Sequence, residues 1–285
     1  MRHAVLGAGA IGSLLAGALA RSGDDVVLLL RPATLSRFHG RLKVESVVLG
    51  DFEVEVDAEA ALDRPLDALW VATKATQLEA AWSLVPPEQA AESPVIPLLN
   101  GVDHLALLRT RYANVVAAAI RVESERVSPW FIRQSSPFLR VEMAGAEPVQ
   151  DAVRAAGIDC RGRDDEVSLL WDKLVFLAPL ALATTALAAP FGAVRADERF
   201  VGCREEAVAA AQAEGAKVDS DAIRALHEQA PAEMRSSMQK DVAAGHQPEL
   251  DAIAGPIIRA GKRHGIPTPN TTTLTAEIRA HTTVG

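Results

Sequence analysis

A glycine motif near the start of the chain strongly limits how the first part of the sequence can fold. Residues 7–12 read Gly-Ala-Gly-Ala-Ile-Gly and stand between a short apolar run, 3–6, and a longer one, 11–21. The first glycine permits a tight turn, the second lets a phosphate approach the backbone, and the third lets a helix pack closely on a strand. The pattern predicts a strand, a turn and a helix that hold the pyrophosphate of a dinucleotide at the helix N-terminus. The predicted cofactor-binding residues of this turn are Gly7, Ala8, Gly9, Ala10, Ile11 and Gly12.

The first hundred residues alternate short β-like runs with helix-like runs, which is typical of a parallel sheet covered by helices. Residues 42–56 alternate in two runs around Gly50-Asp51 and predict a β-hairpin. Residues 127–143 alternate again, and we expect them to add antiparallel strands to the same sheet. The other predicted strands span residues 3–6, 25–30, 66–73, 95–99 and 115–120, and the predicted helices span residues 11–21 and 77–85.

The periodicity changes after a polar patch at residues 161–165. From Val167 onward nearly every long segment has helical periodicity. We therefore expect an α/β protein with a Rossmann-type dinucleotide-binding domain over residues 1–164 and an all-α domain over residues 165–285. The helices predicted in the second domain span residues 167–189, 197–214, 220–240 and 249–264.

One stretch of 21 residues, 174–194, carries no charge and is long enough to cross a bilayer. Pro179 and Pro190 interrupt it, and a solitary span would stand between a dinucleotide-binding domain and polar helices. The same composition suits a helix that is buried on all sides in the second domain, and we favour this interpretation. The N-terminal region has glycines where a signal peptide needs a continuous apolar run. We therefore expect a cytoplasmic protein that does not enter a membrane.

Charge and cysteine content argue against several classes of function. Asp and Glu number 37 against 29 Lys and Arg, so the net charge is −8 and a nucleic acid would be repelled. Cys160 and Cys203 lack a CxxC or CxxH neighbourhood, and no cluster of His, Cys, Asp and Glu has ligand spacing. No metal site is predicted. Hydrophobic residues make up 49% of the chain, which is enough to bury a sizeable core.

The residue after the second predicted strand indicates which dinucleotide is bound. In an NAD site, an acidic side chain about 20 residues after the glycine motif binds the ribose 2′-hydroxyl. Arg31 occupies that place here. A guanidinium suits a 2′-phosphate in charge and geometry, so NADP (as NADPH) is the expected cofactor. The alternative is an exposed arginine at a strand end that binds no ligand.

Further motifs follow in order along the chain. Lys74 comes directly after one predicted strand, Asn100-Gly101 comes after the next, and Trp171-Asp172-Lys173-Leu174 opens the helical half. Together with the glycine motif, Arg31 and three later segments, they resemble the ketopantoate reductase family over essentially the whole chain. The later segments are Ser236-Ser237-Met238-Gln239-Lys240-Asp241, Pro248-Glu249-Leu250-Asp251 and His264-Gly265-Ile266-Pro267-Thr268-Pro269.

The resemblance implies NADPH-dependent reduction of a 2-keto acid to a 2-hydroxy acid, namely ketopantoate to pantoate in pantothenate biosynthesis. It makes Lys173 the group that protonates the carbonyl oxygen as hydride arrives, since an ammonium stabilises the negative charge that develops there. It assigns Ser237 to the substrate carboxylate and Glu249 to a substrate hydroxyl or the cofactor end. Lys173 and Glu249 are the candidate catalytic residues. Asn100 would lie near nicotinamide and substrate, and Lys74 near the 2′-phosphate or the substrate. The alternative for Lys74 is a surface lysine that binds neither. A homodimer through the helical domain is compatible with the resemblance.

One face of the first helix in the second domain departs from the family pattern. The family sequence usually reads K-x-x-x-N-x-x-x-N, whereas here Lys173 is followed by Leu177 and Ala181 on the same face. A site built to bind a substrate hydroxyl discriminates strongly by that contact. We therefore expect the reaction type to be kept. A substrate less polar than ketopantoate remains an alternative. Thr184 and Thr185, one turn further, are candidates to replace the lost amides.

Three functions remain open at this point. The first is a reductase for ketopantoate or a less polar 2-keto acid. The second is a dehydrogenase that oxidises a hydroxy acid, which a preference for NAD would favour. The third is a regulatory protein that binds the nucleotide without turnover; Lys173, Ser237 and Glu249 argue against it, whereas Leu177 and Ala181 leave it open.

Overall fold

Residues 1–282 are described in the computed structural model, and they divide into two units. The first unit comprises Met1–Leu99 and His104–Leu169. The second comprises Asn100–Asp103 and the chain from Leu170 onward. The domain boundary expected after residue 164 stays a prediction, and the contacts of the described residues divide the chain five residues later.

The first unit contains twelve strands and six α-helices among the described residues. The strands are β1 (Arg2–Leu6), β2 (Asp25–Leu29), β3 (Arg41–Ser46), β4 (Phe52–Glu55), β5 (Asp57–Glu59), β6 (Ala68–Val71), β7 (Val95–Pro97), β8 (Ala118–Arg121), β9 (Ser124–Ser128), β10 (Phe131–Gln134), β11 (Arg140–Met143) and β12 (Asp159–Gly162). The helices are α1 (Ala10–Arg21), α2 (Pro32–Leu35), α3 (Leu78–Ala81), α4 (Pro87–Ala90), α5 (His104–Arg109) and α6 (Glu147–Ala155).

A five-stranded parallel sheet with strand order β5-β2-β1-β6-β7 forms the centre of this unit. His3 of β1 lies opposite Val26 of β2 on one side and Ala68 of β6 on the other. The central strands are buried almost throughout, as expected for short apolar runs that helices cover on both faces. The carboxyl ends of β1, β2 and β6 therefore lie side by side at one edge of the sheet, where parallel sheets bind ligands.

The prediction that residues 127–143 extend this sheet was wrong. The predicted hairpin forms as β3 and β4, and β10 pairs in parallel with β3 to give a separate sheet, β4-β3-β10-β9. β11 lies between β8 and β12 in a third sheet. Alternating polarity identifies a strand with one buried face, but it does not determine which strand edge becomes its partner. The helix predicted over residues 77–85 is reduced to α3, with a 3-10 turn on either side.

The second unit is helical throughout its described residues. Its helices are α7 (Glu166–Ala186), which starts with the last residues of the first unit, α8 (Phe191–Val194), α9 (Glu198–Ala213), α10 (Ser220–Gln229), α11 (Ser237–Ala243), α12 (Leu250–Ile253), α13 (Gly255–His264) and α14 (Pro269–Thr282). Only α7 is long and apolar enough to span a membrane among the described helices, and 72% of its apolar window is buried inside the protein. It is the core helix of the unit, packed with α9, α13 and α14.

Two of the four helices predicted for this unit are confirmed, namely α7 and α9, with ends shifted by a few residues. The single helix predicted over residues 220–240 was wrong. α10 ends at Gln229 and α11 starts at Ser237, because Pro231 lacks a backbone N–H and disfavours helical geometry in the residue before it. The helix predicted over residues 249–264 consists of two helices, α12 and α13. α14 was not predicted.

Candidate active site

The glycine turn between β1 and α1 needs glycine at two places for packing. Gly7 has a φ of 106°, and a Cβ there would lie 2.7 Å from the carbonyl carbon of Ala72, at the end of β6. A Cβ on Gly12 would overlap the carbonyl oxygen of Gly7. Any side chain at either position would push the turn away from the sheet. These two glycines therefore hold the start of α1 against the ends of β1 and β6.

The second glycine of the motif, Gly9, faces open space. A Cβ on Gly9 would meet no atom within 4 Å. Gly9 is also the N-cap of α1, where no side chain caps the amides and no acidic residue stands in the first turn. The first amides of a helix have no acceptor inside it and attract anions. Open space beside uncapped amides fits the pyrophosphate of a dinucleotide, so the residues present could hold NADP.

Arg31 and Lys74 follow strands that neighbour β1. Arg31 follows β2, is exposed, and has no side-chain hydrogen bond or ion pair within residues 1–282. Lys74 follows β6, is half-buried, and stands at the N-cap of the 3-10 turn Ala75–Gln77. Parallel pairing puts both on the carboxyl edge of the sheet that also carries the glycine turn. Their cofactor contacts stay predictions.

Asn100 and Glu249 are brought together in the second unit although 149 positions separate them. The Asn100 side-chain amide donates a hydrogen bond of 3.5 Å to the Glu249 carboxylate. Gly101, with a φ of 87°, packs so closely on α12 that a Cβ would overlap the carbonyl oxygen of Ala252. An ion pair between Asp103 and Arg259 fastens the same segment to α13. The segment 100–103 thus carries Asn100 to the start of α12.

Lys173 lies in the second turn of α7 and is half-buried. Its neighbours Trp171 and Leu174 are both buried in the core of the unit, so the helix cannot rotate without exposing them. Leu177 and Ala181 continue the face of Lys173 along the helix, and Ala181 is buried. The face of α7 that carries Lys173 is therefore apolar over the next two turns of the helix.

The suggestion that Thr184 and Thr185 replace the missing amides was wrong. Both side chains are buried, and each hydroxyl donates to a backbone carbonyl one turn earlier in α7: Thr184 to Leu180 at 2.7 Å and Thr185 to Ala181 at 2.6 Å. A hydroxyl whose proton is used inside its own helix cannot donate it to a substrate.

Ser237 is the first residue of α11 and is exposed. The residue before it, Ser236, is buried and caps the helix by accepting a hydrogen bond from the backbone N–H of Gln239. Sequence reasoning missed Ser236. The signal was present, because a serine followed three residues later by glutamine is the pattern of a capping box.

The described residues contain no group of three or more His, Cys, Asp and Glu side chains placed to hold a metal ion. Burial raises the pKa of the Cys160 thiol to about 11 and that of the Cys203 thiol to about 12. Neither cysteine is a thiolate at neutral pH, so neither acts as a nucleophile.

Comparison with known proteins gives consistent results over both units. Residues 3–144 match the family described as ketopantoate reductase PanE/ApbA, and residues 167–282 match its C-terminal domain. The chain is 28% identical to the 2-dehydropantoate 2-reductase of Caulobacter vibrioides, with 97% of this chain and 98% of the relative aligned.

Two solved structures have the same architecture. The PanE/ApbA family ketopantoate reductase of Ralstonia eutropha JMP134 is 29% identical, with a TM-score of 0.89 over 100% of this chain and 99% of that one. The 2-dehydropantoate 2-reductase of Geobacter metallireducens GS-15 is 26% identical, with a TM-score of 0.86 over 98% and 99%. The matches cover both units, from the glycine turn to α14, and the chain belongs to the ketopantoate reductase family.

Proposed function

We propose that this protein catalyses the NADPH-dependent reduction of 2-dehydropantoate, or of a closely related 2-keto acid, to the corresponding 2-hydroxy acid. The observation that carries the proposal is the family match through both units, with a half-buried lysine at residue 173 of the core helix. The cofactor supplies the hydride. The protein must supply a proton, a binding site for the carboxylate, and orientation.

In this proposal the first unit binds the cofactor. The uncapped amides at the start of α1 receive the pyrophosphate, and the guanidinium of Arg31 pairs with the 2′-phosphate. Lys74 adds a second positive charge at the same edge of the sheet. The two basic residues compensate the negative charge of NADPH, in a protein whose net charge is −8.

Lys173 acts as the general acid. A carbonyl that accepts hydride develops negative charge on its oxygen, and an ammonium within hydrogen-bond distance stabilises that charge and then transfers a proton to it. Carbonyl, hydride and proton together give the hydroxyl of the product. The buried neighbours Trp171 and Leu174 keep this face of α7 oriented, so that the ammonium does not have to be positioned at each turnover.

Ser237 and the Asn100–Glu249 pair bind the rest of the substrate. The exposed hydroxyl of Ser237 donates to the substrate carboxylate. Asn100 donates a hydrogen bond to the Glu249 carboxylate, and in this proposal that carboxylate binds a substrate hydroxyl or orients the cofactor. We extend the proposal to a cytoplasmic homodimer that forms through the helical unit.

The apolar face of α7 favours a second candidate substrate class. Leu177 and Ala181 stand where the family usually has two asparagines, and the threonine hydroxyls one turn further are used inside the helix. No replacement for those amides lies on this face within the described residues. A 2-keto acid with an apolar substituent in place of a hydroxymethyl group would lose little binding free energy at this face of α7.

The experiment is the oxidation of NADPH with a panel of 2-keto acids. The panel contains 2-dehydropantoate and trimethylpyruvate, which is 2-dehydropantoate without its hydroxyl. A preference for 2-dehydropantoate supports the first substrate class, and equal or faster reduction of trimethylpyruvate supports the second. Absence of turnover with every acid, while NADPH still binds, contradicts the proposed reaction and favours a regulatory protein.

Replacement of the proposed acid tests the mechanism. Lys173→Ala should lower kcat by about 10²- to 10⁴-fold, which is the usual contribution of a positioned general acid, while the dissociation constant of NADPH stays close to that of the unmodified protein. Lys262→Ala removes an exposed lysine of the same unit and should leave kcat unchanged. Equal kcat values for the two variants would contradict the role of Lys173.

A further inference from the structure

A buried chain of hydrogen bonds joins the first turn of α11 to α7, directly beside Ser237. The backbone N–H of Gln239 donates to the Ser236 hydroxyl at 3.1 Å, and that hydroxyl lies 2.9 Å from the hydroxyl of Thr184. The Thr184 hydroxyl in turn lies 2.7 Å from the carbonyl oxygen of Leu180. Ser236 is 4% exposed and Thr184 is 0% exposed, so water does not compete for these contacts.

The direction of each hydrogen bond in this chain is determined by its two ends. The carbonyl of Leu180 can only accept, so the single proton of Thr184 points to it. Thr184 must then accept from Ser236, whose own oxygen accepts from the amide of Gln239. One arrangement of protons satisfies all three contacts. A chain with a single arrangement in a buried place holds its members more firmly than separate exposed hydrogen bonds would.

Further contacts tie the same region of the chain to the segment that follows α7. The side-chain amide of Gln239 donates to the carbonyl of Ala189 at 3.2 Å. The segment that leads into α11 pairs with the segment after α7 by two backbone hydrogen bonds, Phe191 N–H to Met234 C=O at 2.9 Å and Gly192 N–H to Ala232 C=O at 2.7 Å. The start of α11 therefore has little freedom to move along or away from α7.

Ser236 itself cannot contact a substrate, because it is buried, whereas Ser237 is exposed. We propose that Ser236 and Thr184 are positioning residues, whose hydroxyl contact fixes where Ser237 presents its own hydroxyl to the carboxylate of the 2-keto acid. The inference rests on the proposed function, which gives Ser237 that role. A small displacement of a binding group is enough to weaken such a contact, since hydrogen bonds depend steeply on distance and angle.

The test separates the hydroxyl contact from the helix cap. Thr184→Val keeps the shape of the side chain and leaves Ser236 to cap α11, but it removes the acceptor for the Ser236 proton. Loss of one charge-assisted contact to the carboxylate should raise the KM for the 2-keto acid by about tenfold. The kcat and the KM for NADPH should stay unchanged. Thr184→Ser, which keeps the hydroxyl, should have the same KM for the 2-keto acid as the unmodified protein.

Thr185→Val is the matched control. Thr185 adjoins Thr184, is also buried, and also donates to a carbonyl of its own helix, but no hydrogen bond joins its side chain to α11. It should leave the KM for the 2-keto acid unchanged. Ser236→Ala should raise that KM as Thr184→Val does, and the double variant should be no worse than either single variant, because all three break the same chain of hydrogen bonds.

Two further measurements distinguish failure of this inference from failure of the proposed function. Ser237→Ala should raise the KM for the 2-keto acid; if it does and Thr184→Val does not, the positioning role is overturned and the role of Ser237 stands. If the KM for the 2-keto acid is unchanged in Ser237→Ala, both the role of Ser237 and the positioning role are overturned. Calorimetric titration with pantoate measures the same carboxylate contact without turnover, and affinity lowered by Thr184→Val but not by Thr185→Val supports the positioning role even if no 2-keto acid is reduced.

Discussion

Arg31 is the residue on which the choice between the two nicotinamide dinucleotides depends. Its guanidinium is exposed at the end of β2 and has no hydrogen bond or ion pair with any other described residue. It can therefore turn to a ligand without breaking a contact inside the protein. The 2′-phosphate is the only group that NADPH has and NADH lacks, so any contribution of Arg31 to specificity must act there.

Arg31→Ala should raise the dissociation constant of NADPH by about 10- to 100-fold, which corresponds to the loss of a charge-assisted pair, and should change that of NADH little. Titration of both cofactors, followed by fluorescence, measures this. Arg126→Ala, which removes an exposed arginine of β9, serves as the control. Equal weakening of both cofactors by Arg31→Ala would mean that the arginine contacts another part of the dinucleotide.

How well single residues could be predicted depends on how local their roles are. The glycine turn could be identified from the sequence, because Gly7 and Gly12 are required by a turn only six residues long. The capping role of Ser236 had a local signal in the serine followed three residues later by glutamine, but its contact with Thr184 had none, since Thr184 stands 52 positions earlier. A local pattern reveals a cap, but it does not reveal what the cap touches in another helix.

At the scale of elements, α14 depends on a carboxylate from another helix. Glu206 of α9 is 7% exposed and accepts hydrogen bonds from the backbone N–H groups of Asn270 and Thr271, at 2.8 Å each. It also accepts from the Asn270 amide and the Thr271 hydroxyl. The first turn of α14 thus has its free amides satisfied by a negative charge, which is favourable at a helix N-terminus.

Glu206→Ala should lower the free energy of unfolding by about 3 kcal/mol or more, because it leaves several buried donors without an acceptor. Glu206→Gln keeps the size and one acceptor oxygen and should lose less. Glu205→Ala, at an exposed neighbouring position, should change stability by no more than about 0.5 kcal/mol. Urea unfolding followed by circular dichroism measures all three, and equal losses for Glu206→Ala and Glu205→Ala would refute the capping role.

The same contact explains why the sequence did not reveal α14. Its first turn contains Asn270 and a run of threonines, which are weak helix formers. The compensating carboxylate comes from 64 positions earlier in the chain. α7 and α9, in contrast, were predicted because their helical periodicity is strong over many residues. Helices with a strong periodicity of their own, such as α7 and α9, could be predicted. A helix whose first turn is stabilised by a residue far away in the chain, such as α14, could not.

At the scale of the whole molecule, the change of hydrophobic period after residue 165 was sufficient to predict an α/β half followed by a helical half. It was not sufficient to assign the segment 100–103. This segment follows a strand of the first unit but belongs to the second, because Gly101 packs on α12 and Asp103 pairs with Arg259. Such assignments depend on contacts between residues far apart in the chain, which periodicity does not contain.

The stability of the second unit should depend on pH through a buried histidine. His227 of α10 is stacked on Phe176, with ring centroids 4.7 Å apart, and contacts Phe191 and Phe200 edge-on or tilted. Its Nε2 donates to the carbonyl of Phe176 at 2.9 Å. Burial lowers the pKa of His227 to about 4, and the positive charges of Arg204 and Arg195 act in the same direction, while the hydrogen bond to Phe176 opposes the shift.

His227 is therefore neutral in the folded protein above about pH 4, whereas in the unfolded chain it takes up a proton below about pH 6.5. As the pH falls from about 6.5 to about 4, the unfolded state binds more protons, so the free energy of unfolding should decrease by about 3 kcal/mol; below about pH 4 this contribution changes no further. Urea unfolding at several pH values measures the decrease.

His227→Phe fills the aromatic cluster without a titrating group and should reduce this pH dependence, whereas His39→Phe, at an exposed position, should not. The same pH dependence in His227→Phe and in the unmodified protein would show that other groups cause the loss of stability in acid.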